Sequence, residues 1–138
     1  MQTWLTAETT YEGFPLYLRR PAEVDINRLR TALPILVVVT HKFTKRLPNG
    51  LPEPDYNHGL AKMDADLVAA FDVDQMGVPV LVETFGGKRN YYFYSAKHAD
   101  IEGILSAIAG RYPDEHLRWS IQPDPRWDFI ERYAKEYF

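Results

Sequence analysis

Val78-Pro79-Val80-Leu81-Val82-Glu83-Thr84-Phe85, Gly86-Gly87, then Lys88-Arg89-Asn90-Tyr91-Tyr92-Phe93-Tyr94-Ser95: the reading of this stretch decides the fold. Its two halves are rich in β-branched and aromatic residues, which suit a pleated, half-buried surface. A two-glycine tight turn joins them, because only glycine takes positive φ at low cost. The segment therefore reads as a β-hairpin. Alternation puts Tyr91 and Phe93 on one face of it, and Tyr92 and Tyr94 on the other. In the first half, Val80 and Val82 are expected to face the core, with Leu81, Glu83 and Phe85 turned away.

Upstream, Pro34 bounds the run Ile35-Leu36-Val37-Val38-Val39, the clearest buried strand in the chain. A helix follows, capped by Asp55 or Asn57, with Leu60, Met63, Leu67, Val68 and Phe71 at 3-4 spacing. Downstream, His98 to Ala109 reads as a helix with a stripe of Ile101, Ile104, Leu105 and Ile108, and Gly110 as its C-cap. Leu117, Trp119 and Ile121 then alternate with Arg118 and Ser120 in a last strand. From 35 to 122 the order is strand, helix, strand, strand, helix, strand. The expected fold class is α+β: a ferredoxin-like sandwich, with an antiparallel sheet carrying two helices on one face.

Two additions flank this core. Residues 2–20 read as an N-terminal β-hairpin around Tyr11-Glu12-Gly13, with Pro15 marking an edge position. Asp25 caps a short helix that Pro34 ends. Residues 124–137 read as a terminal helix, with Asp124 as cap, Pro125 at its first position, and Trp127, Ile130, Tyr133, Ala134 and Tyr137 on one face. Residues 1–138 are expected to form one domain.

The bulk properties fit that view. The chain has 138 residues, 46% hydrophobic and 25% charged, with a high aromatic share of 14%. Such a chain buries enough surface to fold without disulfide or metal. It has no cysteine, which excludes disulfides and thiolate chemistry. The net charge of −3 disfavours broad nucleic-acid binding, which needs a basic face. Met1-Gln2-Thr3-Trp4 lacks the profile of a signal peptide, and no apolar run is long enough to cross a bilayer. A cytoplasmic, membrane-free protein is expected.

Several local features carry a family resemblance. They are Trp4 followed by Tyr11-Glu12-Gly13-Phe14-Pro15, the Pro-bounded Ile35 to Val39 strand, Gly86-Gly87-Lys88-Arg89-Asn90-Tyr91-Tyr92-Phe93-Tyr94, and Asp124-Pro125-Arg126-Trp127 with Tyr133 after it. Together they resemble a mainly bacterial family, domain of unknown function 695. No activity or cofactor comes with the resemblance. Some members carry, beside this domain, one similar to the ribonuclease E inhibitor B family. That association implies a regulatory, protein-binding role.

Chemistry-bearing patterns are sparse. His41, His58, His98 and His116 show no metal-ligand spacing. Asp64, Asp66, Asp72 and Asp74 cluster in sequence without the opposed environments that acid–base pairs need. There is no nucleophile elbow, phosphate loop or dinucleotide fingerprint. No catalytic, cofactor or metal residue is assigned. The binding candidates are Tyr92 and Tyr94, if they stand on an open sheet face; Glu83 and Arg118, if they meet across strands there; and Lys45 and Arg46, at the mouth of the Pro-rich loop 44–56. The ordinary readings are rings packed under the chain's own ends, a cross-strand ion pair, and a solvated strand end. The expected function is non-enzymatic binding of a protein partner, such as a nuclease that it inhibits. The alternatives are an immunity protein against a toxin, a small-molecule or nucleotide enzyme with an unrecognised site, and a single-stranded RNA binder.

Overall fold

Gly86 and Gly87 sit at φ 64° and 85° and close the central hairpin, β4 (Gly77–Phe85) with β5 (Lys88–Ser95). Around it the computed structural model, which describes residues 3–133 and 135–137, builds one sheet. β5 pairs along β3 (Ile35–Lys42), and β3 pairs in turn with β6 (Arg118–Pro123). On the other side β4 pairs with β2 (Phe14–Pro21), which pairs with β1 (Trp4–Tyr11). The order is β1-β2-β4-β5-β3-β6 and every pairing is antiparallel. The N-terminal hairpin thus widens the sheet. β2 lies inside it, but its ladder to β4 runs only from Tyr17 to Arg19, so Pro15 falls where that ladder does not need an N–H.

Five α-helices are described: α1 (Ile26–Leu29), α2 (Pro54–Gly59), α3 (Ala61–Val68), α4 (Ile101–Arg111) and α5 (Asp128–Arg132). Asp25 and Asp100 cap α1 and α4, each accepting from the backbone N–H three residues on. The expected cap of the second helical region moves: α2 begins at Pro54 after Glu53, because proline fits a first helical position that needs no N–H donor. Gly110 lies inside α4, which runs on to Arg111.

One face of the sheet carries α3 and α4. Met63, Leu67, Ile101, Leu105 and Ile108 pack there on Val37, Val39, Val82, Tyr91 and Phe93. Val80 departs from the expected alternation. A bulge between Pro79 and Leu81 inserts it as an extra residue, so Val80 and Leu81 both join the opposite face.

The binding reading of Tyr92 and Tyr94 needs that opposite face open; it is covered, as the ordinary reading of those rings had it. Leu33 and Trp127, with the partly buried Val24, Ile26, Leu29, Phe129 and Ile130, lie over Leu36, Leu81, Tyr92 and Tyr94. The terminal helix is also shorter than the expected 124–137: α5 starts at Asp128, after Pro125 and after Trp127, whose φ is 58°. Asp124 still caps, accepting from the N–H groups of Asp128 and Phe129. The left-handed turn at Trp127 aims the indole into the sheet rather than along a helix face. Ala134 lies outside the described residues.

Two helices, each about 10 Å across, span roughly four strands at about 4.8 Å spacing. The sheet has six, and β1 and β2 extend beyond α3. This mismatch of width leaves a cleft on the helix face.

Candidate functional site

The residues expected to carry binding separate in space. Tyr94 is fully buried; its ring stacks on Trp127 at 4.2 Å and 11°, and its hydroxyl donates to Asp124 at 2.6 Å. Tyr92 is 8% exposed and stacks on Phe129 at 4.7 Å. Burial and the neighbouring carboxylates push both phenols well above the usual tyrosine range. Neither ring stands on an open face. Glu83 is buried beside Tyr92, accepting from Tyr92 Oη at 3.2 Å and Asn90 Nδ2 at 3.1 Å. The strand registers put Glu83, Asn90, Thr40 and Arg118 in one row across β4, β5, β3 and β6. Arg118 is therefore three strands away, about 14 Å at the usual strand spacing, too far for an ion pair with Glu83.

Lys45 and Arg46 are exposed, and the loop that holds them is built rigidly. Glu53 N–H donates to Lys45 O at 3.0 Å and Leu47 N–H to Leu51 O at 2.8 Å, around a bridge between Arg46 and Pro52. The loop is pinned to the central hairpin turn: Gly87 N–H donates to Gly50 O at 2.9 Å, and Phe43 N–H to Gly87 O at 3.0 Å. Close approach explains the glycines. A Cβ on Gly50 would sit 3.1 Å from the Gly86 backbone, and one on Gly87 would meet Arg46 Cδ at 2.9 Å.

This loop, the β4–β5 turn and the β1–β2 turn enclose a groove of about 640 Å³. Phe14, Leu47 and Phe85 line it, with Glu12 and Arg46. Tyr11 packs edge-on against Phe85 at 5.7 Å. Tyr11 is 53% exposed and Phe14 47%. Lys42 and Lys88 stand exposed and opposite each other on β3 and β5 at the same end, a like-charge pair.

A second concavity, about 410 Å³, is the cleft beside α2 and α3. A row of Glu8, Tyr17, Thr84 and Arg89 forms part of its wall, in successive strands β1, β2, β4 and β5. Asn57, His58 and Asp64 contribute from the helices. Asp64 is salt-bridged to Arg19 and accepts from Tyr91 Oη at 2.6 Å. Beyond Arg89 on the same face lies His41, fully buried, with Nε2 against Glu115 at 2.7 Å and the Tyr56 hydroxyl at 3.2 Å. Tyr56 also hydrogen-bonds Glu115. Burial holds the His41 pKa below its ordinary value, in part against the pull of Glu115. Its Nδ1 is buried without a hydrogen-bond partner. With Nε2 already taken and Nδ1 sealed from solvent, this histidine packs into the fold.

Sequence reasoning missed the groove's aromatic rim. It read Tyr11-Glu12-Gly13-Phe14 as a turn only. The available signal was two large rings at the strand ends flanking a turn, the last and first positions of the hairpin. Arg89 was seen only beside the ring-bearing ribbon; Thr84 is its cross-strand partner in the hairpin, but its meeting with Asn57 depends on a helix some thirty positions away. Among the described residues no group of three or more His, Asp or Glu side chains converges as metal ligands, and no helix is long and apolar enough to cross a membrane. The model of a family of unknown function, DUF695, matches residues 2–133. No curated protein and no solved structure matches the chain.

Proposed function

We propose, for a chain that belongs to the DUF695 family, a non-enzymatic, protein-binding function exercised by the loop end of the sheet. The observation that carries this reading is the groove of Phe14, Phe85 and Leu47 with Tyr11 at its rim, held open by a loop pinned through Gly50 and Gly87. Exposed aromatics around a preorganised concavity are the usual anchors of protein interfaces. Preorganisation lowers the ordering cost of binding. Lys42, Lys45, Arg46 and Lys88 stand at the same end and select an acidic surroundings on the partner, with an apolar side chain at its centre. A regulatory target, nuclease or toxin, would then be engaged on an acidic surface. Mimicry of nucleic acid in a nuclease's basic site would call for the opposite charge.

We read the β3–α2/α3–β4–β5–α4–β6 part as a ferredoxin-like sandwich, which the order β4-β5-β3-β6 supports. The N-terminal hairpin then serves both to widen that sandwich and to supply Tyr11 and Phe14 to the rim. The test uses the full chain as bait in extract of its source, beside a Tyr11→Ser, Phe14→Ser double variant. The reading expects one stoichiometric partner, released by added salt and depleted at least tenfold with the variant. A partner recovered equally by both baits, or none at all, contradicts it.

A further inference from the structure

We infer that the cleft beside α2 and α3 binds a small organic anion, a phosphate monoester or a carboxylate, through Arg89. The inference is independent of the loop-end reading and uses a different surface.

The argument rests on where the charges in the cleft are spent. Asp64, which faces it from α3, is bound to Arg19 and to the Tyr91 hydroxyl. Glu115, near the far side of Arg89, is bound to His41 and Tyr56. Glu8, at the rim on β1, lies three strands from Arg89, about 14 Å at the usual spacing. Arg89 therefore makes no ion pair in the described structure. Its partners are neutral: Nε donates to Thr84 Oγ1 at 2.8 Å, Nη2 donates to Asn57 Oδ1 at 3.2 Å, and Cζ lies 5.3 Å from the Phe43 ring centroid.

These contacts fix the guanidinium without neutralising it. Two of its five N–H donors are used, and the planar fork suits the paired oxygens of phosphate or carboxylate. The side chain is only partly buried, so holding a bare charge there is tolerable without a ligand and favourable with one. The cleft volume of about 410 Å³ falls within the range of small-molecule sites. Tyr17, exposed on the same row between Glu8 and Thr84, offers a ring for a planar part of the ligand. His58, exposed on α2, stands at the same cleft and can add a donor.

The probes are AMP, citrate and adenosine, titrated into 15N-labelled full-length protein and followed by amide shifts. AMP or citrate, or both, should give saturable shifts at Asn57, Thr84 and Arg89 that weaken with salt; the arm that saturates tells phosphate from carboxylate. Adenosine, which has the same base and no anion, should bind at least tenfold more weakly. Arg89→Gln should weaken the anion at least tenfold with the resting spectrum otherwise retained. Arg89→Lys keeps charge but loses the fork and should fall between. Absence of saturable shifts with both anions, equal binding of adenosine, or full binding by a folded Arg89→Gln protein each overturns the inference. If Arg89→Gln does not fold, the AMP–adenosine comparison and Arg89→Lys decide it.

Discussion

Two pairs of aromatic rings mark opposite ends of the sheet and meet opposite fates. At one end Tyr94 lies flat under Trp127 and both are sealed; at the other Tyr11 leans on Phe85 and stays half exposed. The residue types are nearly the same. The difference is what the chain has left to lay over them. The Trp127 segment returns across the sheet after β6, and the indole Nε1 finds Leu33 O at 2.8 Å, so the ring can be buried with its one donor satisfied. Among the described residues nothing seals the β1–β2 turn, and Tyr11 and Phe14 stay about half exposed. On the proposed function its rings are covered by a partner, which would make the loop end, not the central ribbon, the surface offered for recognition.

The comparison is most sharply broken at Trp127. Trp127→Ala should cost about 3–5 kcal/mol, seen as a large drop in the denaturant midpoint, because a fully buried indole leaves a cavity over Tyr94. Trp127→Phe keeps the stack but orphans Leu33 O, and should cost about 1–3 kcal/mol. A smaller effect is expected at the other end from Gly87→Ala. Positive φ at 85° disfavours a side chain by about 1–2 kcal/mol, and the new Cβ displaces Arg46. Thermal melts and partner affinity should both fall, affinity more than stability.

A still smaller change is expected from acid. His41 is held neutral by burial, with Glu115, Tyr56, Arg89 and Asp64 about it, so its folded pKa lies below the unfolded value of about 6.5. The unfolded chain then binds more protons between the two, and stability rises with pH there. Melting points should decline as pH drops below about 6.5, and His41→Asn should flatten that slope. The smallest stability effect belongs to Tyr11→Ser with Phe14→Ser. Both rings are near half exposed, so the melt should barely move, within about 0.5 kcal/mol.

The same contrast explains what could be read from sequence. The central hairpin, the strands of residues 35–122 and the helix stripes were legible because periodicity and the Gly-Gly turn are local signals. The α+β class followed from their order. That the second face is covered was the ordinary reading of its rings, but the way it is covered was not legible. It depends on Trp127 taking a left-handed turn and reaching Leu33, ninety-four positions away, and helical spacing alone placed Trp127 on a terminal helix face. Val80 was misplaced because a bulge breaks the alternation at its position, while Leu81 to Phe85 keep the expected faces. Of the candidate residues, Lys45 and Arg46 stand where the loop's prolines suggested. Glu83 and Arg118 were paired by parity, which fixes the face of a residue but not how many strands lie between two of them.

The claim that the loop end is the recognition surface is tested most directly by crosslinking. A photoreactive group placed at Phe14, and in a second protein at Ser120 on the outer strand β6, is irradiated in extract of the source. The account predicts one dominant adduct from position 14, suppressed by excess unmodified chain and not formed from position 120. Equal labelling from both positions, or an adduct from 120 alone, would contradict it.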